Sequence, residues 1–521
     1  MSNENKDQHK RGFLDRCEQE QLQFSGEIQN FGALFICQQN GLVSHISVNL
    51  PELTDLSITL GEHYPTELSG LIDNLELNSG SKLYAEDILA SKGGTEEPSL
   101  AAEKSLLAAD SSLDAIFTRC HSGAVIAELM PHQASRSEPE WTEPPAFGTI
   151  NNEQHRQNLQ DSLIHWIIQV SGYDRVMYYQ FLPGGEGEVQ SEARQQQAEG
   201  AYLGLRFPAS DVPQIAREIY RKNPWRTISD SASDSVEFLK LDAPDIVMGQ
   251  SNPDLALADL RSVAKVHAIY MQNMGDRASF TLPIVGSESL DALISCHSPT
   301  PGKLSLARQQ AISQVVVQYN TQLREYRTRC RMKVVDEFAY QTNQMLAAIQ
   351  SLQDQQARWE KLAQWLLSTF SADTLVMHKA EKTWVSGLPV ETHTVEQLDD
   401  WFTRQSPELV FSTDYLQGLD TEQLLLTEMA GVAGLKVTPD NGQPYRLYLF
   451  RKEEIQEVVW GGNPDKPVEY HDGEWGISPR RSFAKWVEKK LGYSRPWPSD
   501  TKFRLLRLRV ELHRLPESVL H

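Results

Sequence analysis

Residues 206–226 read RFPASDVPQIAREIYRKNPWR. Asp211 stands between two prolines, Pro208 and Pro213, and directly precedes a stretch of good helix formers. Taken alone, it is a helix-entry residue, with Pro213 in the first turn, where a missing N–H costs nothing. The surroundings are α+β. Upstream, NLQDSLIHWIIQVSG (158–172) has helical periodicity and RVMYYQF (175–181) reads as a strand; downstream, SFTLPIV (279–285) and LDALISCH (290–297) are two more strands. LPGGEGEV (182–189) is Gly-rich but has no lysine to hold phosphates, so a hairpin loop explains it better than a nucleotide loop.

Outward from this centre the chain divides by composition. Residues 24 to about 125 mix short apolar runs (GALFICQ, GLVSHISV, AVIAEL) with helical stretches. SRSEPEWTEPPA (135–146) is a Pro-, Glu- and Ser-rich linker. After the central domain, Ile312, Val316, Tyr319, Leu323 and Tyr326 are spaced as in a coiled-coil seam, and the pattern continues without Pro or Gly through DEFAYQTNQMLAAIQSLQDQQARWEKLAQWLLS (336–368). A third α+β region covers about 360 to 500. The closing KFRLLRLRVELHRL (502–515) places Leu505, Leu508, Leu512 and Leu515 on one stripe, which Pro516 interrupts. Both stripes suit either a domain core or a parallel helical pair.

A chain of 521 residues makes roughly three to four domains of about 150 residues. The net charge of -21 argues against wholesale binding to nucleic acid or to an anionic membrane. No apolar run reaches the roughly 18 residues of a membrane helix, and residues 1–21 lack the apolar core of a signal peptide. Five scattered cysteines (Cys17, Cys37, Cys120, Cys296, Cys330) without a CxxC suit a reducing cytoplasm. HExxH, GxSxG and GxxxxGK[ST] are missing. Cys296 and His297 point to opposite faces of a strand, so no metal site is expected there. These features describe a sensor or binding protein rather than an enzyme.

Five stretches in order carry a resemblance: CEQEQLQFSGEIQNFGALF (17–35), YDRVMYYQF (173–181), RFPASDVPQIAREIYRKNPWR, LRSVAKVHAIYMQNMG (260–275), and VVWGG…SPRRSF (458–483). Together they closely resemble the photosensory module of a bacterial phytochrome, a PAS–GAF–PHY array that binds a linear tetrapyrrole. The resemblance implies an α+β fold of three domains with antiparallel sheets, joined by long helices. The implied divisions are an N-terminal segment (1–23), PAS (24–130), a linker (131–147), GAF (148–310), a connecting helix (311–345), PHY (346–500) with a tongue at about 456–486, and an output-linker helix (501–521). It also implies a figure-of-eight knot, with Ile28 threaded through a GAF loop, a topology rare among folds.

The same resemblance assigns roles. Cys17 matches the bilin-attaching cysteine, whose thiolate adds to the ring A vinyl group to give a thioether. Val266 stands where plant-type members carry a cysteine, so the implied pigment is biliverdin. Asp211 would offer its carbonyl to the pyrrole N–H groups and its carboxylate to the PHY domain. His267 would sit beside rings B and C, and His297 would face the ring D carbonyl. Arg226 and Arg261 fall at propionate-clamping positions, where guanidinium geometry suits carboxylates. Tyr179, Tyr220 and Tyr270 match aromatic lining positions, and Ser279 and Thr281 match hydroxyls near the ring C propionate. In the tongue, Trp460, Pro479, Arg480 and Ser482 match motif positions, with Arg480 pairing with Asp211 in the dark and Ser482 replacing it after illumination. Unaided, 460–483 reads as a hairpin turning at Gly462–Asn463–Pro464.

The sequence departs from the family at Ser25–Gly26, at Asn30–Phe31, at Ala264–Lys265–Val266 before His267, and at Asp291–Ala292, none of which removes an implied pigment contact. The expectation is a red/far-red photoreceptor module carrying biliverdin. It would form a cytoplasmic homodimer through its GAF, PHY and C-terminal helices and serve a histidine kinase or diguanylate cyclase output domain. A light-independent PAS/GAF ligand-binding or dimerisation scaffold is the alternative from another class. An enzyme acting on free bilin is weaker, because no acid–base set is visible.

Overall fold

The computed structural model describes residues 21–89, 112–132, 134–240, 252–380, 382–404, 408–419, 428–439, 443–464, 468–471, 474–477 and 483–513. Its chain forms two compact units, residues 1–324 with 459–486 and residues 325–458 with 487–521.

Among the described residues the first unit holds two large sheets and the small pair Val468–His471 and Glu474–Ile477. In the N-terminal one, Val125–Pro131 is central and buried along its whole length. Alternation explains why. Val125, Ala127 and Leu129 join Phe35, Phe117, Leu53 and Leu68 in one core, while Ile126 joins Leu34, Ile36, Phe238, Leu255 and Leu260 on the other face. Both faces are therefore covered, and Glu128 is wholly buried on the second. That face is closed by a later part of the chain. Strand Ser235–Lys240 inserts between Val43–Ser47 and Glu27–Gln29, all antiparallel. On its other side Ile28 bridges Arg261, and Gln29 N–H donates to Leu260 O at 2.7 Å. Segment 27–29 thus runs between two parts of the chain, 235–240 and 260–262. The knot expected around Ile28 would close through residues 241–251, which lie outside the described residues.

The second sheet places the site. Its order within this unit is Arg226–Ile228, Ala278–Val285, Leu290–Ser298, Arg175–Phe181, Gly187–Arg194 and Arg206–Phe207, with Trp460 paired in parallel to Arg206. The hairpin read at 182–186 is present, Leu182 N–H donating to Glu186 O. One face packs Phe280, Leu282, Ile294, Cys296 and Tyr178 against helix Glu153–Ser171, which Asn152 caps by accepting from His155 N–H and Gly172 ends at φ +63°. The opposite face therefore presents Met177, Tyr179, Ser279, Thr281, Ser295 and His297.

The second unit has an antiparallel sheet in the order Lys382–Gly387, Thr374–Lys379, Tyr445–Lys452, Met429–Val437, Val410–Thr413, covered by helices Gln355–Phe370, Thr392–Arg404 and Thr501–His513. The architecture is α+β with antiparallel sheets and a long helix, Leu306–Gln350.

Three expectations need correction, and one open choice is resolved. The long helix does not run unbroken to residue 368: it stops at Gln350 and restarts at Gln355, although neither Pro nor Gly intervenes. Asp354 caps the new helix by accepting from Ala357 N–H at 2.9 Å, and Arg358 Nε donates to Leu352 O at 2.7 Å, so local side-chain bonds replace the helical ladder. The two apolar stripes are core. This is one of the two readings the sequence allowed: Ile312, Val316, Tyr319 and Leu323 are buried beneath the central sheet, with Tyr326 half-buried, and Leu505, Leu508 and Leu512 are buried within the second unit; Leu515 lies outside the described residues. Segment 460–483 does not turn back at Gly462–Pro464: strands Val468–His471 and Glu474–Ile477 follow it and pair antiparallel with each other. Finally, Asp211 does not enter the helix directly. It ends a 3-10 turn, Ala209–Asp211, and helix Gln214–Lys222 starts after Pro213.

Candidate functional site

The polar face of the central sheet is roofed by the 3-10 turn, by helix Gln214–Lys222 and by helix Lys265–Met274. Between roof and sheet lie two lobes of about 170 Å³ and 90 Å³ that share Asp211, Val212, Tyr220, His267 and Tyr270 as walls. The larger adds Leu22, Arg226, Arg261 and Val266; the smaller adds Tyr179, Ser279, Thr281, Ser295 and His297. Ten of the residues singled out in the sequence thus meet at one cavity: Asp211, His267, His297, Arg226, Arg261, Tyr179, Tyr220, Tyr270, Ser279 and Thr281.

Ile28 does not line it. That side chain is fully buried in the apolar cluster with Phe238 and Leu260, and reaches the site only through its bridge to Arg261. Trp460 is buried beside Arg206, away from both lobes. Cys17, Pro479, Arg480 and Ser482 lie outside the described residues. Leu22, five positions after Cys17, is on the cavity wall, a distance that five residues span with up to about 17 Å of chain.

The site is rich in desolvated positive charge. Arg226 donates to the carbonyls of Asp259, Arg261 and Ser262, so its guanidinium shapes the 259–262 loop. Arg261 donates to Leu22 O at 3.3 Å, while its buried Nε has no hydrogen-bond partner. Burial, and then the charge of Arg226, push the Arg261 guanidinium down to about 9. Burial, and then His297, Arg226 and Arg261, push His267 down to about 4, so its imidazole is neutral. Burial raises the Tyr220 phenol, against the opposing charge of Arg226. Across the cavity, Tyr270 OH donates to Asp211 Oδ2 at 2.9 Å, and the His267 and Tyr270 rings stack with 12° between their planes. Phe483, the last residue of the SPRRSF motif, meets the Tyr270 ring edge-on at 5.1 Å and also packs near Tyr202.

The arrangement suits a long conjugated molecule with anionic arms: aromatic walls, two adjacent guanidinium groups and one carboxylate. Among the described residues no group of His, Cys, Asp and Glu could hold a metal ion, and no helix is long and apolar enough to cross a membrane.

Family models match both ends of the chain, the phytochrome region over residues 339–515 and the PAS fold over residues 17–132. The chain belongs to the phytochrome family. It is 31% identical over 362 residues to cyanobacterial phytochrome B of Nostoc sp. (strain PCC 7120), covering 67% of this chain and 46% of that protein. It is 27% identical over 527 residues to the bacteriophytochrome of Pseudomonas aeruginosa, covering 96% of this chain and 66% of that one. The chain therefore spans about half to two thirds of the length of these curated relatives. In fold, it resembles the wild-type photosensory core module of Stigmatella aurantiaca phytochrome, with a TM-score of 0.71 at 23% identity over 95% of this chain and 97% of that one. Neither matched family model is that of a catalytic domain.

Some residues of this phytochrome's cavity carried no sequence signal. Asp276 hydrogen bonds with His297 Nδ1 at 2.8 Å, and Ser295 with its Nε2 at 2.7 Å. Asp259 accepts from Thr227 N–H and fixes the loop that Arg226 grips. Of these, only Ser295 was accessible in principle, as the residue two before His297 on the same strand face.

Proposed function

We propose that this module is a red/far-red photosensor that carries biliverdin as a covalent thioether at Cys17. The observation that carries the reading is the pair formed by buried Arg226 and half-buried Arg261 on the wall of an aromatic cavity, with the buried Arg261 Nε unsatisfied and its charge disfavoured. Burying such charges costs free energy unless an anion answers them, and a pigment with two propionates answers them. Arg261 is the direct partner, and Arg226 adds charge from behind while it holds the loop.

When bound, biliverdin supplies the C15=C16 double bond whose Z/E isomerisation by light is the photochemistry. The residues do the rest. The Asp211 carbonyl would accept from pyrrole N–H groups, and its carboxylate would be a partner for the PHY domain. His267, neutral when the pocket is empty, orders the pyrrole side. His297 with Ser295 would hold the ring D end of the pigment, and Tyr179, Tyr220 and Tyr270 would wall the space around it. Phe483 connects Tyr270 to the tongue, so a change at Tyr270 or Asp211 acts on segment 459–486, where Arg480 and Ser482 exchange as partners of Asp211. A refolding segment of this kind is the two-state element a switch needs. The signal then passes along helix Leu306–Gln350 and the C-terminal helix to an output domain, a histidine kinase or a diguanylate cyclase.

The test is a denaturing gel of the protein mixed with biliverdin. Zinc-enhanced fluorescence on the protein band is expected, and its loss in Cys17→Ser. A fluorescent band that persists in Cys17→Ser refutes the attachment, and a pigment that stays unbound refutes the function.

A further inference from the structure

Ser295 and His297 stand two residues apart on strand Leu290–Ser298 and so face the cavity together. The imidazole is held from both ends: Nε2 lies 2.7 Å from Ser295 Oγ, and Nδ1 lies 2.8 Å from Asp276 Oδ2. Asp276 and His297 are each only 9% exposed. Asp276 is itself anchored. Gly275, at φ +85°, turns the chain at the end of helix Lys265–Met274; Asp276 N–H then donates to Met271 O at 2.9 Å, and its carbonyl accepts from Ser231 Oγ at 3.2 Å. A carboxylate can only accept, so Nδ1 must carry a hydrogen, and the Nε2 edge is the one presented to Ser295 and the cavity.

The same three residue types serve acyl transfer on other folds. Here Ser295 sits mid-strand with neighbours paired on both sides, Thr281 and Met177. Its backbone is committed to the ladder and offers no N–H to a developing oxyanion. The triad orients; it does not cleave.

We propose that Asp276 is a positioning residue of the pigment site. It fixes the proton and the plane of the His297 ring, so that ring D of a bound pigment meets one preset imidazole edge, and it thereby sets the rate at which the photoproduct relaxes in the dark. This rests on the pigment-binding function proposed above. A hydrogen-bonded carboxylate behind a histidine fixes the tautomer and orientation of metal-ligating imidazoles by the same logic. Loosening the ring adds a reorganisation step to the return of ring D, so reversion slows.

Two measurements test it. In the full chain without pigment, labelled with ¹⁵N-histidine and with His297 assigned by His297→Gln, the His297 resonances should show a protonated Nδ1, and Asp276→Asn should abolish that pattern. With biliverdin bound, Asp276→Asn should slow dark reversion at least threefold. Asp230→Asn should stay within twofold of the native rate, because Asp230 grips the adjacent Arg277 through bonds of 2.6 Å without touching His297. A native His297 protonated on Nε2 alone overturns the proposal without any variant. So does an Asp276→Asn protein with an unchanged ring pattern, or one whose reversion stays within twofold of native. A native chain that takes up no biliverdin sinks the pigment function instead, and the nitrogen spectrum still decides whether Asp276 fixes the ring.

Discussion

Replacing Arg261 with glutamine should stabilise the empty protein and weaken its hold on biliverdin. The opposite signs follow from one cause. In the protein without pigment the guanidinium is pushed well below its ordinary value, down to about 9, chiefly by burial and next by Arg226. At about 1.4 kcal/mol per tenfold change, that corresponds to roughly 5 kcal/mol against the charged form. Arg261 is only half-buried, however, and the variant loses the bond to Leu22 O, so a net gain of about 2 kcal/mol is expected. With biliverdin present the balance reverses. A charge-assisted bond to a propionate contributes about 1.5–3 kcal/mol, so its loss should weaken binding roughly 10- to 150-fold. The assay is urea unfolding of the apoprotein at pH 7, together with a biliverdin titration in a Cys17→Ser background, where binding is reversible. An Arg261→Gln apoprotein no more stable than native would refute the strained-charge argument. Unchanged affinity would refute the role of Arg261 toward the propionates.

Burial raises the Glu128 carboxyl to about 7, so the folded state keeps a proton that the unfolded chain releases above about 4.5. Its contribution is whole at low pH and is lost as pH rises through about 7; Glu128→Gln should therefore gain on the native protein by about 3 kcal/mol between pH 4.5 and 7.5, measured by urea unfolding. His45 and His267, both pushed down to about 4, pull stability the other way over part of that window, but in both proteins, so their effect cancels in the difference. A Cβ on Gly187 would lie 2.0 Å from Tyr179 Cζ. Gly187→Ala should displace that ring, cost about 1–3 kcal/mol and shift the pigment absorption band, and an unshifted band would remove Tyr179 from the pocket wall. Leu508→Ala should destabilise the second unit by about 2–5 kcal/mol while leaving the pigment spectrum and oligomeric state alone; loss of self-association would return the leucine stripe to a dimer seam.

Local periodicity made the central sheet readable, because one face must bury Phe280, Ile294 and Cys296 while the other carries Ser279, Thr281 and His297. Motif order supplied the cavity's walls, since the residues of 206–226 and 260–275 converge on it. What stayed hidden was non-local or lacked a residue-type signature. Strand Ser235–Lys240 joins the N-terminal sheet across nearly 200 residues of chain, and nothing in SVEFLK names its partners. The helix break at 351–354 uses Ser, Leu, Gln and Asp, none of them a strong breaker, and depends on Asp354 finding Ala357 N–H. A stripe of leucines specifies that something covers it but not what, so Leu505–Leu512 fit a core and a dimer equally well until the fold is seen. Asp276 meets His297 only because Gly275 turns the chain beneath the sheet, a geometry that sequence spacing does not carry.

The most direct test of the photosensor account is the absorbance spectrum of the purified chain with biliverdin, recorded before and after red light. The account predicts a red-absorbing band that red light converts to a far-red form and that recovers on far-red illumination or in the dark. A spectrum identical to that of free biliverdin, or a bound band that no illumination alters, would contradict it.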